Sequence, residues 1–458
     1  MALQRSALGA RVSALRVVVA GGGLAGITTA LRAAQGGASV TLVERRGYLG
    51  GRAYSFSDPE TGVEVDNGQH VFLGCCTAYT GLLAELSTLD RTWRQHRLRV
   101  EVRRPGGPTG VLSALPLPAP AHLALSLAAY PHLSWREKAS AARALLAIRA
   151  ERHRERPALA GQSFGAWLRA HGQSTRAIAH LWELIVLPSL NDACDAVSAS
   201  MGFMVFQESL LRDAHGADIG YAREGLSAVM GEPAAARLRE RGVTLALGRT
   251  VEGLALDGQR VRGVRLAGGE VLEADAVVLA VPAHALGALL PPVLANEGFF
   301  APAAALTYAP IVNLHVWYDR PVADFDFAAF LDSPVQWVFN RSRIAGLPGL
   351  GQYLTVSLSG AHEWWPIPKE ALRERVLAGL AEVLPAARSA RVERTVLVKE
   401  QRATFQSPPE GPARLPQRTP VPGLYLAGDW TDTGWPSTME SAVRSGNRAA
   451  GAVLEDTR

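Results

Sequence analysis

The sequence predicts an α/β fold in which one sheet-and-helix domain is assembled from separated stretches of chain, with an α+β domain and a helical subdomain set between them. Three observations predict it. The chain opens with a strand, a glycine-rich turn, a helix and a second strand, and it closes with a strand, a polar loop and a helix. The interval between these ends is long, and 458 residues at roughly 150 per domain imply two or three units.

The composition, 48% apolar and 19% charged, is that of a globular enzyme with a large core. The net charge of +5 is scattered and carried almost wholly by Arg, with Lys only at Lys138, Lys369 and Lys399. No basic stripe with interleaved aromatics appears, which argues against nucleic acid as a partner. Cys75, Cys76 and Cys194 have neither a disulfide framework nor metal-ligand spacing, as expected in a reducing cytoplasm. Residues Met1 to Ala14 lack the apolar core of a secretory signal and are expected to form a short disordered extension. The most apolar stretch, Leu115 to Tyr130, is broken by Pro116, Pro118 and Pro120 and is too short to span a bilayer.

Taken in order, RVVVA, GGGLAG, ITTALRAAQGG and SVTLVE give a βαβ opening from Arg16. Residues 15–82 are assigned to the first part of the discontinuous domain. Residues 83–220 show helical periodicity, as in Trp135 to Arg156 and Ser163 to Leu190, and are expected to be mostly helices. In 221–288, strands resume at Val243 to Leu247, Val251 to Leu256, Arg260 to Leu266 and Ala276 to Ala280, with turns at Asp257-Gly258 and Gly268-Gly269. Residues 289–394 mix β-like runs, IVNLHVWYDR and QYLTVSLS, with a helix near Lys369 to Leu384. Residues 395–458 return to the first domain through GLYLAG and a last helix.

Gly21, Gly23 and Gly26 match G-x-G-x-x-G between a strand and a helix, with Gly22, Leu24 and Ala25 filling the turn. The first glycine permits the turn, the second lets backbone approach a pyrophosphate, and the third packs helix on strand. The helix start offers free N–H groups and a partial positive charge to phosphates. Glu44, 18 residues after Gly26, ends the second strand, where a carboxylate accepts ribose hydroxyls; Arg45 lies beside it. These features fit NAD or FAD equally. Gly50, Gly51 and Arg52 then supply close backbone approach and a guanidinium for phosphate oxygens, and Gly68, Gln69 and His70 are expected to face the cofactor ring. The C-terminal AGDWTDTGWPSTMESAVRSG decides for FAD: Gly428 and Asp429 end a strand, where the carboxylate reaches ribityl hydroxyls that NAD lacks. Ser437 and Glu440 read as a capping box, starting a helix at Thr438 and Met439 whose N–H groups would stabilise a reduced flavin. Ala442, Ser445, Gly446, Ala449 and Ala450 give that helix a small-residue stripe for close packing on the sheet or cofactor.

These residues, GGGLAG, Glu44, Gly50 to Arg52 and the C-terminal motif, resemble the FAD-dependent amine oxidase and phytoene desaturase superfamily. DNGQHVFLGC from Asp66, LWELIVLPSLNDACDAVSAS from Leu181, YAREGLSAVM from Tyr221 and KEQRATFQ from Lys399 resemble its branch acting on long isoprenoid alcohols. That branch usually has Pro near Leu184 and Thr-Pro after Asn191, where this chain has Asp192-Ala193. The resemblance implies a discontinuous Rossmann-like FAD-binding domain, an α+β substrate domain and a helical, membrane-contacting subdomain. It implies that Val251 presents backbone to adenine and that Trp430 and Trp435 lie near the flavin. The implied reaction transfers hydride from reduced FAD to an allylic carbon as a hydroxyl leaves as water. His70, Asp192 and Asp195 are candidates for the general acid that this leaving group needs. A lipophilic isoprenoid substrate implies peripheral contact with a membrane surface, on the cytoplasmic face, through Leu115 to Tyr130 and the Arg-rich Trp135 to Arg156. The electron donor is not identified. Two other readings stay open: desaturase or amine oxidase chemistry with reversed electron flow, and a non-catalytic binding protein like the Rab escort proteins. The last requires a damaged flavin site, whereas Glu44 and Asp429 are both present.

Overall fold

The computed structural model describes residues 14–152, 157–295, 298–347, 349 and 351–457. The expected N-terminal extension lies outside them apart from Ala14, as do residues 153–156 at the end of the Arg-rich segment.

Apolar runs of Val, Leu and Ala, flanked by glycine turns, form a five-stranded parallel sheet in the order Thr244–Leu247, Ser39–Glu44, Arg16–Ala20, Ala276–Leu279, Leu424–Leu426. Its central strands are buried on both faces, which is why they read as continuous apolar runs. Glycine sets the packing on it. A Cβ at Gly26 would lie 1.9 Å from the Gly21 carbonyl oxygen, so helix Leu24–Gln35 can follow strand Arg16–Ala20 only with glycine there. The C-terminal helix Met439–Asp456 lies against that helix, where a Cβ at Gly446 would be 2.5 Å from the Ala25 carbonyl oxygen. At Gly446 the small-residue stripe serves this helix–helix contact; on the sheet side Ser445 Oγ accepts from the Gly428 N–H at 2.9 Å and Ala449 shares a core with Val17 and Val19.

Strands Val251–Asp257, Arg260–Leu266 and Val271–Glu273 form a separate antiparallel meander, joined by the Asp257-Gly258 and Gly268-Gly269 turns. A third sheet has seven strands in the order Val392–Phe405, Tyr308–Tyr318, Gln352–Leu358, Trp337–Asn340, Phe327–Phe330, Arg99–Arg103, Gly110–Ser113. Helix Lys369–Val383 covers one face of it through Leu372, Val376 and Leu380, which pack with Val312, Leu314 and Val356. The first strand runs unbroken across residue 394, where a boundary between substrate and cofactor segments was expected.

Residues 83–220 are not as uniformly helical as expected. Arg99–Arg103 alternates in burial and, with Gly110–Ser113, joins the seven-stranded sheet, while Thr92–Arg94 pairs with Ile219–Ala222. The helix expected over Ser163 to Leu190 is broken after Ala170. Gly172 takes φ +74°, and Ser174 caps a new helical stretch by accepting a hydrogen bond from the Ala177 N–H. The Arg-rich helix is Trp135–Ala150, opened by a reciprocal capping box between Ser134 and Glu137. Among the described residues, no helix is long and apolar enough to cross a membrane.

Candidate active site

The carboxyl ends of the parallel strands open into a cavity of about 1070 Å³. At one end it is walled by two glycine turns. Gly21 has φ +114° and its missing Cβ would meet the Ala280 carbonyl oxygen at 2.4 Å, whereas a Cβ at Gly23 would meet nothing nearer than Gly51 Cα at 3.8 Å. Gly21 is therefore fixed by the fold, while the space over Gly23 remains for a ligand. Gly50 donates its N–H to the Gly22 carbonyl at 2.9 Å, and Gly51, at φ +63°, closes on Gly23. Gly23 begins the helix without any side-chain cap, so the first turn turns its N–H groups toward the cavity at Leu24 and Ala25.

Glu44 is buried and accepts from the Gly22 N–H at 2.7 Å through Oε2 and from the Arg46 N–H at 2.9 Å through Oε1. Its remaining lone pairs face the cavity, which Arg45 and Val251 also line. On the opposite wall Asp429 accepts from Arg52 and from the Ser437 hydroxyl. Arg52 also donates to the Ala403 carbonyl at 3.0 Å. The guanidinium predicted to meet phosphate is here tied to Asp429 and to strand Val392–Phe405. Gly428, Thr438 and Met439 complete this wall.

The capping box predicted at Ser437 and Glu440 does not form. Thr438 caps the helix, accepting from the Ser441 N–H at 3.1 Å, and Ser437 is spent on Asp429. Glu440, 1% exposed, accepts from the N–H groups of Ala78 and Tyr79 at 3.1 and 2.8 Å and so closes the start of helix Thr77–Glu85. A long carboxylate near one helix start has been recruited by another whose orphan donors are nearer.

Of the three acid candidates, only His70 lines the cavity, together with Gly68 and Gln69. Its Nδ1 lies 2.9 Å from the Gly68 carbonyl, to which only a protonated nitrogen can donate. Burial holds the imidazole below its usual pKa, so Nε2 is left bare as an acceptor. Asp192 is buried behind the wall, accepting from Gln406 at 2.5 Å, with His362 Nε2 3.7 Å away. Asp195 is exposed and ion-paired with Arg169 at 2.5 Å. Neither aspartate is among the cavity-lining residues. A loop residue next to a family-like motif need not point inward, and here the turn after Asn191, at φ +55°, rotates both away.

Two residues escaped the sequence reading. Arg414 donates to the carbonyls of Asp429 (2.7 Å), Trp430 (3.3 Å), Thr431 and Trp435, pinning the loop that carries Asp429. Burial lowers its pKa to about 10, so it stays charged at neutral pH. Asn313 lines the cavity from strand Tyr308–Tyr318. Nothing local marks either residue in the sequence, since their partners are distant in the chain.

A model of flavin-containing amine oxidoreductases matches residues 24–454. The chain belongs to the flavin-containing amine oxidoreductase family. It is an FAD-dependent oxidoreductase, and the glycine cradle, the open space over Gly23 and the uncapped helix start fit that dinucleotide. Within the family it is similar to the hydroxysqualene dehydroxylase of Rhodopseudomonas palustris, with 30% identity covering 96% of this chain and 98% of that one. It is also similar to the 15-cis-phytoene desaturase of Glycine max, with 26% identity over 97% and 80% of the two chains. The fold is shared with solved structures. The cyclohexylamine oxidase of Brevibacterium oxydans superposes with a TM-score of 0.72 at 19% identity, over 97% of this chain and 99% of that one. A Methanosarcina mazei oxidoreductase superposes with a TM-score of 0.75 at 18% identity, over 96% and 100%.

Proposed function

We propose that this oxidoreductase removes the hydroxyl of hydroxysqualene reductively, giving squalene. The observation that carries the reading is the continuity of the cavity. From the glycine cradle it runs without a dividing wall into a chamber lined by Leu98, Val100, Leu112, Leu181, Ile185 and Phe339. One drug-sized ligand occupies about 300–1,000 Å³; a cavity of about 1070 Å³ with an apolar extension suits a dinucleotide and part of a long hydrocarbon together. The similarity to hydroxysqualene dehydroxylases of two bacteria, at 30% and 29% identity, supports this substrate over an amine.

When bound and reduced, FAD supplies hydride. The Gly21–Gly26 and Gly50–Gly51 turns would hold it, Arg52 and Arg414 fix Asp429 beside it, and hydrocarbon side chains line the chamber beyond. His70, with its bare Nε2, accepts a hydrogen bond from a hydroxyl or water; it does not carry the proton that the leaving group takes.

The substrate enters from a membrane surface. The chamber reaches Leu123, Ala124 and Leu127 on helix Ala124–Ala129 and its preceding turn, and Leu145 and Leu146 on helix Trp135–Ala150. The same segments turn Leu117 (45% exposed), Leu125 (66%), Trp135 (72%) and Leu146 (56%) to the outside, with Arg136, Arg143 and Arg149 exposed beside them. Apolar side chains among cations are the pattern of an interfacial anchor on anionic lipid.

The reaction is tested by mixing the anaerobically reduced holoenzyme with hydroxysqualene. Flavin reoxidation with equimolar squalene is expected. No squalene, or instead oxidation of phytoene or of amines in air, would replace this reading with the desaturase or amine oxidase one.

A further inference from the structure

On one part of the chamber floor, beside the Gly68–His70 loop, two neutral polar side chains stand next to each other. Asn313 on strand Tyr308–Tyr318 and Ser357 on strand Gln352–Leu358 are directly opposed in the antiparallel pair, so their side chains leave the same face. Both line the cavity. Their neighbours Val312, Leu314, Val356 and Leu358 point the other way, into the core under helix Lys369–Val383. The period of two thus makes this placement a consequence of register rather than of a local turn.

Asn313 is 2% exposed, and its Oδ1 is buried without a hydrogen-bond partner. Among the described residues, neither the Asn313 amide nor the Ser357 hydroxyl makes any side-chain hydrogen bond. Leaving a buried polar group unpaired costs about 1–3 kcal/mol, a cost that Asn313 Oδ1 bears; with the half-buried Ser357 hydroxyl beside it on the cavity wall, the two are placed for a polar group from elsewhere. Its position says which part of a ligand that is. A Cβ on Gly68 would lie 2.6 Å from Asn313 Nδ2, so the amide abuts the Gly68–His70 loop, where the chamber meets the cofactor end. The pair is neutral. An amide and a hydroxyl can both donate to and accept from an alcohol, without the charge that would select an amine or carboxylate.

We propose that Asn313 and Ser357 form a hydroxyl-reading pair that seats the one polar group of a long-chain alcohol, and so determine specificity for alcohol over hydrocarbon. This rests on the substrate class proposed above. The alcohol O–H donates to Asn313 Oδ1, and the Asn313 N–H or Ser357 O–H donates to the alcohol oxygen. In the reaction the C–O bond breaks, hydride from reduced FAD forms the new C–H bond, and the oxygen takes a proton from solvent and leaves as water. The two electrons come from the flavin. The pair moves no proton itself. It holds the oxygen, and it releases squalene because the product has nothing for it to bind.

The test compares equilibrium binding of hydroxysqualene and of squalene to the FAD-loaded oxidised enzyme, read from the flavin absorption and fluorescence. The native protein is expected to bind the alcohol at least about tenfold more tightly, the order that one well-made buried hydrogen bond supplies. Asn313→Leu and, separately, the milder Ser357→Ala are expected to reduce or erase that preference while leaving squalene affinity and the flavin spectrum unchanged. A native enzyme without preference would overturn the proposal. So would variants that keep the preference, or variants that lose both ligands equally or lose FAD, which would make the pair a packing or flavin contact. Turnover is scored separately. Selective binding without squalene formation would sink the proposed reaction and leave the pair standing.

Discussion

The parallel sheet and the seven-stranded sheet meet the same cavity by different means. At the parallel sheet, function sits in backbone: Gly21, Gly23, Gly26, Gly50 and Gly51 leave no side chain, and close approaches define the space. At the seven-stranded sheet, function sits in side chains that alternate across strands far apart in the chain, as Asn313 and Ser357 do. A backbone-built site tolerates almost no substitution but is insensitive to which ligand tail lies beyond it. A side-chain-built chamber can be retuned one residue at a time. This is how one family can share a cofactor site between amine oxidases and enzymes of isoprenoids.

The contrast is broken most severely at Gly26. In Gly26→Ala the new Cβ would sit 1.9 Å from the Gly21 carbonyl oxygen, in contact with backbone that cannot yield. Overpacking costs typically about 1–3 kcal/mol and more where nothing moves, so the purified protein is expected to be colourless or insoluble; flavin retained at native stoichiometry would contradict the packing role. Next comes Arg414→Leu, which leaves the carbonyls of Asp429, Trp430, Thr431 and Trp435 without their donor. FAD affinity, measured by titrating the apoprotein, is expected to fall by at least about tenfold, with ~1–3 kcal/mol at stake for each unpaired group.

On the chamber side, Leu125→Asp with Leu146→Asp should leave FAD binding intact. Each leucine transferred from water to an apolar phase is worth about 1.5–3 kcal/mol, so partitioning to anionic phospholipid vesicles in a sedimentation assay is expected to drop by at least about tenfold. Unchanged partitioning would remove the membrane reading of this face.

The smallest effect is in pH. Burial depresses His70, His122, His132, His284 and His315, the last to about 3. Below the ordinary histidine value, about 6.5, the unfolded chain binds protons that the folded chain refuses, so stability falls as pH drops through that value and is flat above it. Thermal unfolding is expected to shift down by roughly 2 °C or more between pH 7 and 5; a rise would show that these rings gain partners when protonated.

What was legible in the sequence follows the same division. The glycine turns, Glu44 and Asp429 carry their geometry in local spacing, because a turn between a strand and a helix is a short-range object, and the cavity has all of them on its wall except Gly26, which packs beneath. Strand Arg99–Arg103 was hidden among helical periods because the partner that fixes it in the sheet comes from residues 327–330, and Gly110–Ser113 is held only through its pairing with Arg99–Arg103. The capping box misled because S-x-x-E specifies two residues able to cap a helix but not which helix start is closest: Glu440 serves Ala78 and Tyr79 instead. Asp192 and Asp195 misled for a related reason, since chain proximity to a family-like motif does not fix where a carboxylate points after a left-handed Asn191. Arg414 and Asn313 gave no local signal. Burial and its bonds to the loop carbonyls single out Arg414, and an unmet buried acceptor singles out Asn313.

Whether one continuous cavity brings reduced FAD to the carbinol carbon of a long isoprenoid alcohol is decided by a single anaerobic turnover in D₂O. With the holoenzyme pre-reduced there, so that the transferable hydrogen is deuterium, one deuterium in squalene is expected, at the former carbinol carbon, for each flavin reoxidised. Unlabelled squalene, label at another carbon, or flavin that stays reduced in the presence of hydroxysqualene would contradict it.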